Sequence, residues 1–374
     1  MILETFSDVV DFRRAQGKMY DLQTVLDLAT IARLSGAFSY RKIHTFIVGR
    51  YDELKEKYNI TWKKIPSFSC IRFIILGANT HSMHEGFKKD AAKKLMEMKK
   101  LKEMNKEDEL LVFSSDGKGL LGSYDHSKGV RAIQDLSIYS NDYNLIMAIE
   151  KIDEKTNEIP AAQRLIPELG IKGAIFTFDA MNCQFKTLDI LVESGNDVIV
   201  QVKGNQEVLL NDCQRIAASC EPTDEFIEGL EKGHGRITDR KVSVYGPELI
   251  TNLHEKWGNV INTIKVERFR LLSNTKKNNY EDDSGVSYYI STKSLTAEQY
   301  NSIIRGHWSI ENKNHYVRDV AMKEDKSRIR VKPQNMAIIL SLALNILRYN
   351  GVKNIENRLY ENTLSFKRLL ELKM

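Results

Sequence analysis

No run of about 18 apolar residues occurs in this chain of 374 residues, so it offers no candidate for a membrane-spanning helix. The most apolar stretch, Met336 to Leu347 (MAIILSLALNIL), is shorter and holds Ser341 and Asn345, which reads as a buried helix. The N-terminus, MILETFSDVVDFRRAQ, lacks the basic start and long apolar run of a signal peptide. Cysteine is scarce. Cys70, Cys183, Cys213 and Cys220 form no CxxC pair and are too few for a disulfide scaffold, so they read as reduced cytosolic thiols. A protein nucleophile is also missing. There is no GxSxG, no cysteine has a patterned histidine partner, and Gly117-Lys118-Gly119 has neither the spacing nor the Ser/Thr of a phosphate-binding loop. Internal repeats and low-complexity tracts are absent too.

What is present describes a soluble globular chain: 42% hydrophobic and 28% charged residues, long enough for two or three domains with a large core. The formal net charge is only +5, so the distribution of charge matters more than its sum.

Residues 1–105 read as a helical domain. Asp21 caps a helix whose apolar positions Leu22, Val25, Leu26, Ala29 and Ala32 recur at helical spacing, and Gly36 ends it. Ser39 starts a second helix with Ile43, Phe46 and Ile47 inward. Ser67 or Ser69, after Pro66, caps a third from Cys70 to Leu76, and a fourth runs from about Ser82 to Met104. The lysines of that fourth helix (88, 89, 93, 94, 99, 100 and 102) read either as a solvated face or as phosphate contacts. Near residue 106 the pattern changes to short apolar runs: Leu110 to Phe113, Leu120 to Leu121 and Leu145 to Ile152. A helix from Glu158 to Leu169 follows, then a strand from Ala174 to Phe178, a helix from Gln184 to Ser194 and a strand from Val198 to Val202. The order β-β-β-α-β-α-β predicts an α/β fold, a ribonuclease-H-like core whose mixed sheet has helices on both faces. Residues 106–203 form its first part. Residues 204–295, punctuated by glycine, read as a β-rich insertion, with 274–283 its best candidate for a mobile loop. Residues 296–374 return to the core, with Thr296 as a helix cap.

Three carboxylates stand out. Asp116 and Asp179 each follow an apolar strand, and ligands of an open α/β sheet bind at the carboxyl ends of its strands. Glu311 sits on a helix with His307, His315 and Arg318 at spacings that place all four on one face, while Ile303, Ile310 and Val317 take the buried side. Such an oxygen donor set suits hard Mg²⁺ or Mn²⁺. Two such ions about 4 Å apart can activate an attacking water or 3′-hydroxyl and stabilise a leaving oxygen. The bland readings are a turn or cap for each aspartate and a solvated helix face for Glu311. His307, Glu311 and His315 also admit a zinc reading, although the HExxH spacing is missing.

The segments SDGKGLLGS, TFDAMNCQ and RGHWSIENKNHYVRDVAMKEDKSRIR, together with QVKGNQ, EKGHGRITDR and the N-terminal FSDVVDFRRAQGKMYDLQTVLDLATIARLSGAFSY, carry a family resemblance. Over nearly its whole length the chain resembles the DDE transposases of bacterial insertion sequences, specifically the ISAs-type, H-repeat-associated subgroup. The resemblance implies that Asp116, Asp179 and Glu311 are the catalytic, metal-ligating triad, with two Mg²⁺ or Mn²⁺ ions. It implies a transposase that frees a 3′-hydroxyl at the inverted-repeat ends of its element and attacks target DNA with it. It also implies a homodimer on double-stranded DNA and a bacterial, cytoplasmic, nucleoid-associated protein that does not engage membranes. Related transposases carry Arg four residues before the glutamate and Lys seven after, where this chain has His307 and Arg318. Many have Arg at Leu121 and Thr at Gly119, departures that bear on a local DNA contact.

Further residues are assigned DNA contact: Lys203 and Asn205 after a core strand, His307, His315 and Arg318 beside the glutamate, and Lys326, Arg328 and Arg330 beyond it. Gln206, His234, Arg236, Arg240, Lys313, Lys323 and Lys332 are supporting candidates. Trp308 reads as a stacking platform for a flipped base or as core packing. Two other functions stay open: a metal-dependent nuclease without strand transfer, and an inactive descendant that only binds DNA.

Overall fold

The computed structural model describes residues 3–104, 110–124, 129, 131–152, 157–233, 236–247, 255–274 and 279–374. Its first helices begin where the caps predict. The Asp21 carboxylate accepts from the Thr24 amide at 2.8 Å at the start of α1 (Leu22–Leu34), satisfying one of the donors a helix start leaves open. Ser39 plays the same part for α2 (Tyr40–Gly49). An unexpected α3 (Tyr51–Tyr58) follows, in which Leu54 alone is buried, so no apolar stripe announced it. Ser67 caps α4 (Phe68–Gly77), and α5 (Thr80–Met104) completes the N-terminal helices.

The order then runs β1 (Val112–Leu120), β2 (Ile133–Ser140), β3 (Leu145–Ile152), α6 (Glu158–Glu168), β4 (Ile175–Phe178), α7 (Phe185–Glu193) and β5 (Asp197–Val202). This is the expected β-β-β-α-β-α-β order, with two corrections. β1 continues to Leu120 instead of stopping at Phe113. Leu120 is the last residue of β1 and Leu121 opens a 3₁₀ turn, so the pair is no separate strand; the second strand is β2, which the periodicity concealed. Next come α8 (Glu207–Ser219), β6 (Asp224–Ile227), β7 (Glu231–Gly233), β8 (Arg236–Tyr245), β9 (Asn262–Asn274), β10 (Asn279–Asp282) and β11 (Gly285–Ser291). The mobile loop expected at 274–283 is, in its described part, hairpin: β10 pairs antiparallel with β9, Asp282 opposite Leu271. The chain ends with α9 (Ala297–His307), α10 (Pro333–Tyr349), α11 (Ile355–Leu364) and α12 (Phe366–Leu370).

The chain folds as two compact units. The first comprises Met1–Glu109, Gly117–Asn157 and Ile310–Met374. At its centre α10 is buried nearly all round, as expected of a core helix, and the N-terminal helices share that core. The polar breaks in its apolar run are stitches. Asn335 Nδ2 donates to the carbonyls of Ile75 (2.7 Å) and Ala78 (3.1 Å). Asn345 accepts from the Ile146 amide and donates to the Ile146 carbonyl, binding α10 to β3. β2 and β3 pair antiparallel in this unit.

The second unit comprises Leu110–Asp116 and Glu158–Ser309. The first half of β1 lies parallel to β4, and β4 parallel to β5. β11 joins β5 antiparallel, and β9, β8 and β6 continue outward from it, so the insertion extends the core sheet. The result is a mixed sheet. One face receives α9, whose Tyr300, Ile303 and Ile304 pack with Val112, Ile175 and Ile199. The other carries Phe113 and Phe176, stacked with ring centroids 5.2 Å apart.

Candidate active site

The β1–β4 register sets the two aspartates. Ser114 pairs with Thr177, and their hydroxyls stand 3.0 Å apart. Side chains two residues apart share a face of extended chain, so Asp116 and Asp179 follow on that face, both half-buried. The two residues therefore follow the paired Ser114 and Thr177 toward the carboxyl ends of neighbouring parallel strands. Asp116 lies within β1, not past its end as expected. Asp179 does end β4: it caps the tight turn Ala180–Asn182, accepting from the Met181 amide at 3.1 Å.

Several groups brace this turn. Asn205 Nδ2 donates to the Ala180 carbonyl at 2.7 Å, and Gln206 Nε2 to the Cys183 carbonyl at 2.9 Å, so the loop after β5 grips the loop after β4. Asn205, expected to contact DNA, is exposed, and its carboxamide nitrogen makes this contact within the protein. Lys203 at the head of that loop is exposed. Asn182 Nδ2 donates to Glu158 Oε1 at 2.8 Å. Burial, and next the Asp179 carboxylate, push Glu158 up to about 7. Glu158 and Asn182 carried no sequence signal, since one reads as a helix-start acid and the other as a turn residue.

His307 closes the cluster from α9. Its Nδ1 stands 2.8 Å from Thr177 Oγ1, which also reaches the Phe113 carbonyl at 3.3 Å. With the Thr177 proton on that carbonyl, His307 must donate from Nδ1, leaving Nε2 as an acceptor. Burial pulls its pKa down to about 4, against the Asp179 charge. His307 is therefore a neutral support of β4 at neutral pH and not the cation expected to bind phosphate.

The Glu311 segment departs most from expectation. Residues Ile310–His315 and Val317–Ala321 form wide π-type turns, with Met322 N–H donating five residues back to Val317 at 3.0 Å. Spacings of four, four and three no longer share a face at that winding. Glu311 is exposed. His315 is half-buried, pulled to about 3 by burial and the Arg318 charge. Arg318 is 0% exposed, forking Glu324 at 3.0 and 2.9 Å, so the expected phosphate contact is not open to it. Lys118, two residues after Asp116, joins the same cluster, 2.6 Å from Asp319 and 3.4 Å from Glu324. Burial pushes Asp319 up to about 6 against Lys118, while Arg318 and Lys118 outweigh burial and hold Glu324 low. Among the described residues, both oxygens of the buried Asp135 lack a hydrogen-bond partner, and burial drives that carboxyl to about 7.

The basic segment after Glu311 is exposed at three positions. Lys326, Arg328 and Arg330 alternate with the half-buried Ser327 and Ile329, and Arg330 Nε donates to the Tyr124 carbonyl at 3.2 Å. Trp308 is 56% exposed at the end of α9, which removes the core-packing reading. Leu121 is 61% exposed, and Gly119 leaves a Cβ only 3.2 Å from the Gln134 carboxamide. Gly122 packs so tightly that a Cβ would fall 1.8 Å from the Ser327 carbonyl oxygen, beside the basic run. Arg236 is exposed, Arg240 is half-buried, and His234 lies outside the described residues.

Among the described residues, no three His, Cys, Asp or Glu side chains are grouped so as to hold a metal, which removes the His307–Glu311–His315 zinc reading. Asp116 and Asp179 share a unit, whereas Glu311 belongs to the other. The paired aspartates nonetheless suit a hard divalent cation: both donate oxygen, and both are half-buried on one sheet face.

Comparison with known proteins places the chain in a family. Residues 85–347 match the family described as "Transposase DDE domain", and residues 3–89 match "DDE_Tnp_1-associated". The chain belongs to the transposase DDE domain family. "Putative protein YbfL" of Escherichia coli K12 is 32% identical over 100% of this chain and 93% of that protein. "H repeat-associated putative transposase YhhI" of the same strain is 30% identical over the same shares. "Putative transposase YncI" of Escherichia coli O157:H7 is 29% identical over 99% of this chain and 94% of its own length. The H-repeat-associated subgroup suggested by the motifs is thus represented among its relatives. No helix among the described residues is long and apolar enough to cross a membrane.

Proposed function

We propose that the chain is a cut-and-paste DNA transposase with Asp116, Asp179 and Glu311 as its catalytic acids. The observation that supports this is the β1–β4 register, in which Ser114 pairs with Thr177, two residues before Asp116 and Asp179. When bound, a pair of Mg²⁺ or Mn²⁺ ions supplies Lewis-acid stabilisation to the attacking and leaving oxygens of a phosphodiester. The residues do the rest. Asp116 and Asp179 offer oxygen donors from a rigid sheet, and Glu311 offers a third from its π-turn segment. Lys203, Lys326, Arg328 and Arg330 meet the phosphate backbone, and the exposed ring of Trp308 stacks on a base. The substrates are the inverted-repeat ends of the element and then target DNA, with two copies of the chain bridging the ends.

The test uses labelled end-sequence DNA and Mg²⁺. Asp179→Asn and Glu311→Gln each abolish cleavage while the fold is kept. Undiminished cleavage in either variant overturns the assignment. Transfer of a supplied 3′-hydroxyl end into a second duplex separates a transposase from a nuclease on the same core.

A further inference from the structure

We propose that Glu158 and Asn182 are positioning residues for the Asp179 carboxylate, together fixing which of its oxygens faces a divalent cation. This rests on the reading of Asp179 as a metal ligand. Asp179 Oδ1 is occupied: it accepts from the Met181 amide at 3.1 Å, and Asn182 Nδ2 stands 3.5 Å from it. Among the described residues Oδ2 has no partner, so it is the oxygen left for a cation. The Asn182 carboxamide cannot swing away from this post. It is 1% exposed and donates at 2.8 Å to Glu158 Oε1, and Glu158 is anchored as the first residue of α6. The turn between is held from behind by Asn205 and Gln206.

The chemical consequence is selective. A free carboxylate rotates about its terminal torsion and exchanges its oxygens. One held through Oδ1 presents a single donor in one direction, which is what a cation shared between carboxylates requires. Outer residues that orient metal ligands in this way change metal affinity when removed, typically by tenfold or more. The contact needs an acceptor oxygen at position 158 and a donor at 182, but no charge at 158.

The experiment follows the free Mn²⁺ resonance during titration of the full-length protein, with thermal unfolding as the check on folding. Asn182→Ala and Glu158→Ala each weaken Mn²⁺ binding about tenfold, and the double variant is no weaker than either. Glu158→Gln retains the acceptor oxygen and binds like the wild type. The same variants raise the Mg²⁺ needed for half-maximal cleavage and leave the rate at saturating Mg²⁺ nearly unchanged. Glu158→Ala probes the same contact from its other end if Asn182→Ala does not fold. Wild-type Mn²⁺ binding in the alanine variants overturns the proposal, as does Glu158→Gln binding as weakly as Glu158→Ala. Asp179→Asn keeps the two ideas apart. If it still binds Mn²⁺ and cleaves, the ligand assignment fails. If it loses both while the alanine variants bind normally, only the positioning role fails.

Discussion

Burial decides what His307 and His315 can do. Both imidazoles have folded pKa values far below the ordinary 6.5, about 4 and about 3. Each is therefore neutral at physiological pH. The stability they contribute is fully present above about 6.5 and is lost as pH falls through the folded values. Histidine NMR is expected to show both rings neutral at about pH 5, with no limb from them in the cleavage profile near neutrality. A ring titrating between about 6 and 7 would contradict the lowering by burial. Asp135 behaves oppositely. Arg318, Glu324, Lys118 and Lys151 surround it, yet burial lifts it to about 7 from an ordinary 3.8. Its contribution is present below the ordinary value and is lost as pH rises through about 7. Asp135→Asn should therefore gain thermal stability relative to the wild type on going from pH 5 to pH 8. Each unit of elevation corresponds to about 1.4 kcal/mol, an upper guide here. An equal difference at both pH values would show that Asp135 is already ionised at pH 5 in the folded state, so that burial does not raise it.

At the scale of elements, the segment carrying Glu311 shows how a sound pattern can mislead. Spacings of four and three put His307, Glu311, His315 and Arg318 on one face of an α-helix. The chain winds instead in π-type turns, which carry Arg318 inward to Glu324. Sequence gave no warning, because the winding follows from partners far along the chain. Lys118 is one such partner: 5% exposed, it pairs with Asp319 and Glu324. Lys118→Met should cost about 1–3 kcal/mol, because it leaves the half-buried Asp319 without its cation while Glu324 keeps Arg318. Urea denaturation measures this, and a loss under about 1 kcal/mol would show that the cluster relaxes easily. β2 escaped notice for a related reason. Its Asp135, Ser137 and Ser140 are buried beside Leu136, Ile138 and Tyr139, so neither polar–apolar alternation nor an apolar run survives. The caps at Asp21, Ser39, Ser67 and Thr296 were legible because each acts within its own first turn.

For the whole molecule, the order of core elements could be read because β1, β4 and β5 have apolar residues bounded by turns. The pair Asp116 and Asp179 was legible with them. What could not be read was which distant segments share a core. The first unit is assembled from three stretches of chain, and its central helix is α10, Pro333–Tyr349. Residues 1–104 expressed alone should lack a cooperative unfolding transition, and a peptide of residues 333–349 added in trans should increase their helical content. A cooperative transition in the fragment alone would show that the N-terminal helices do not depend on α10.

Synthesis on the ribosome gives that arrangement a cost in time. α1 emerges early with an apolar surface that α10 will help cover, and Pro333 follows Met104 by more than two hundred residues. At elongation rates of about 5–20 residues per second the wait is roughly ten to fifty seconds, during which exposed apolar surface invites chaperones and proteases. A frame interrupted before α10 should therefore yield a fragment whose N-terminal helices lack the helix at the centre of their unit.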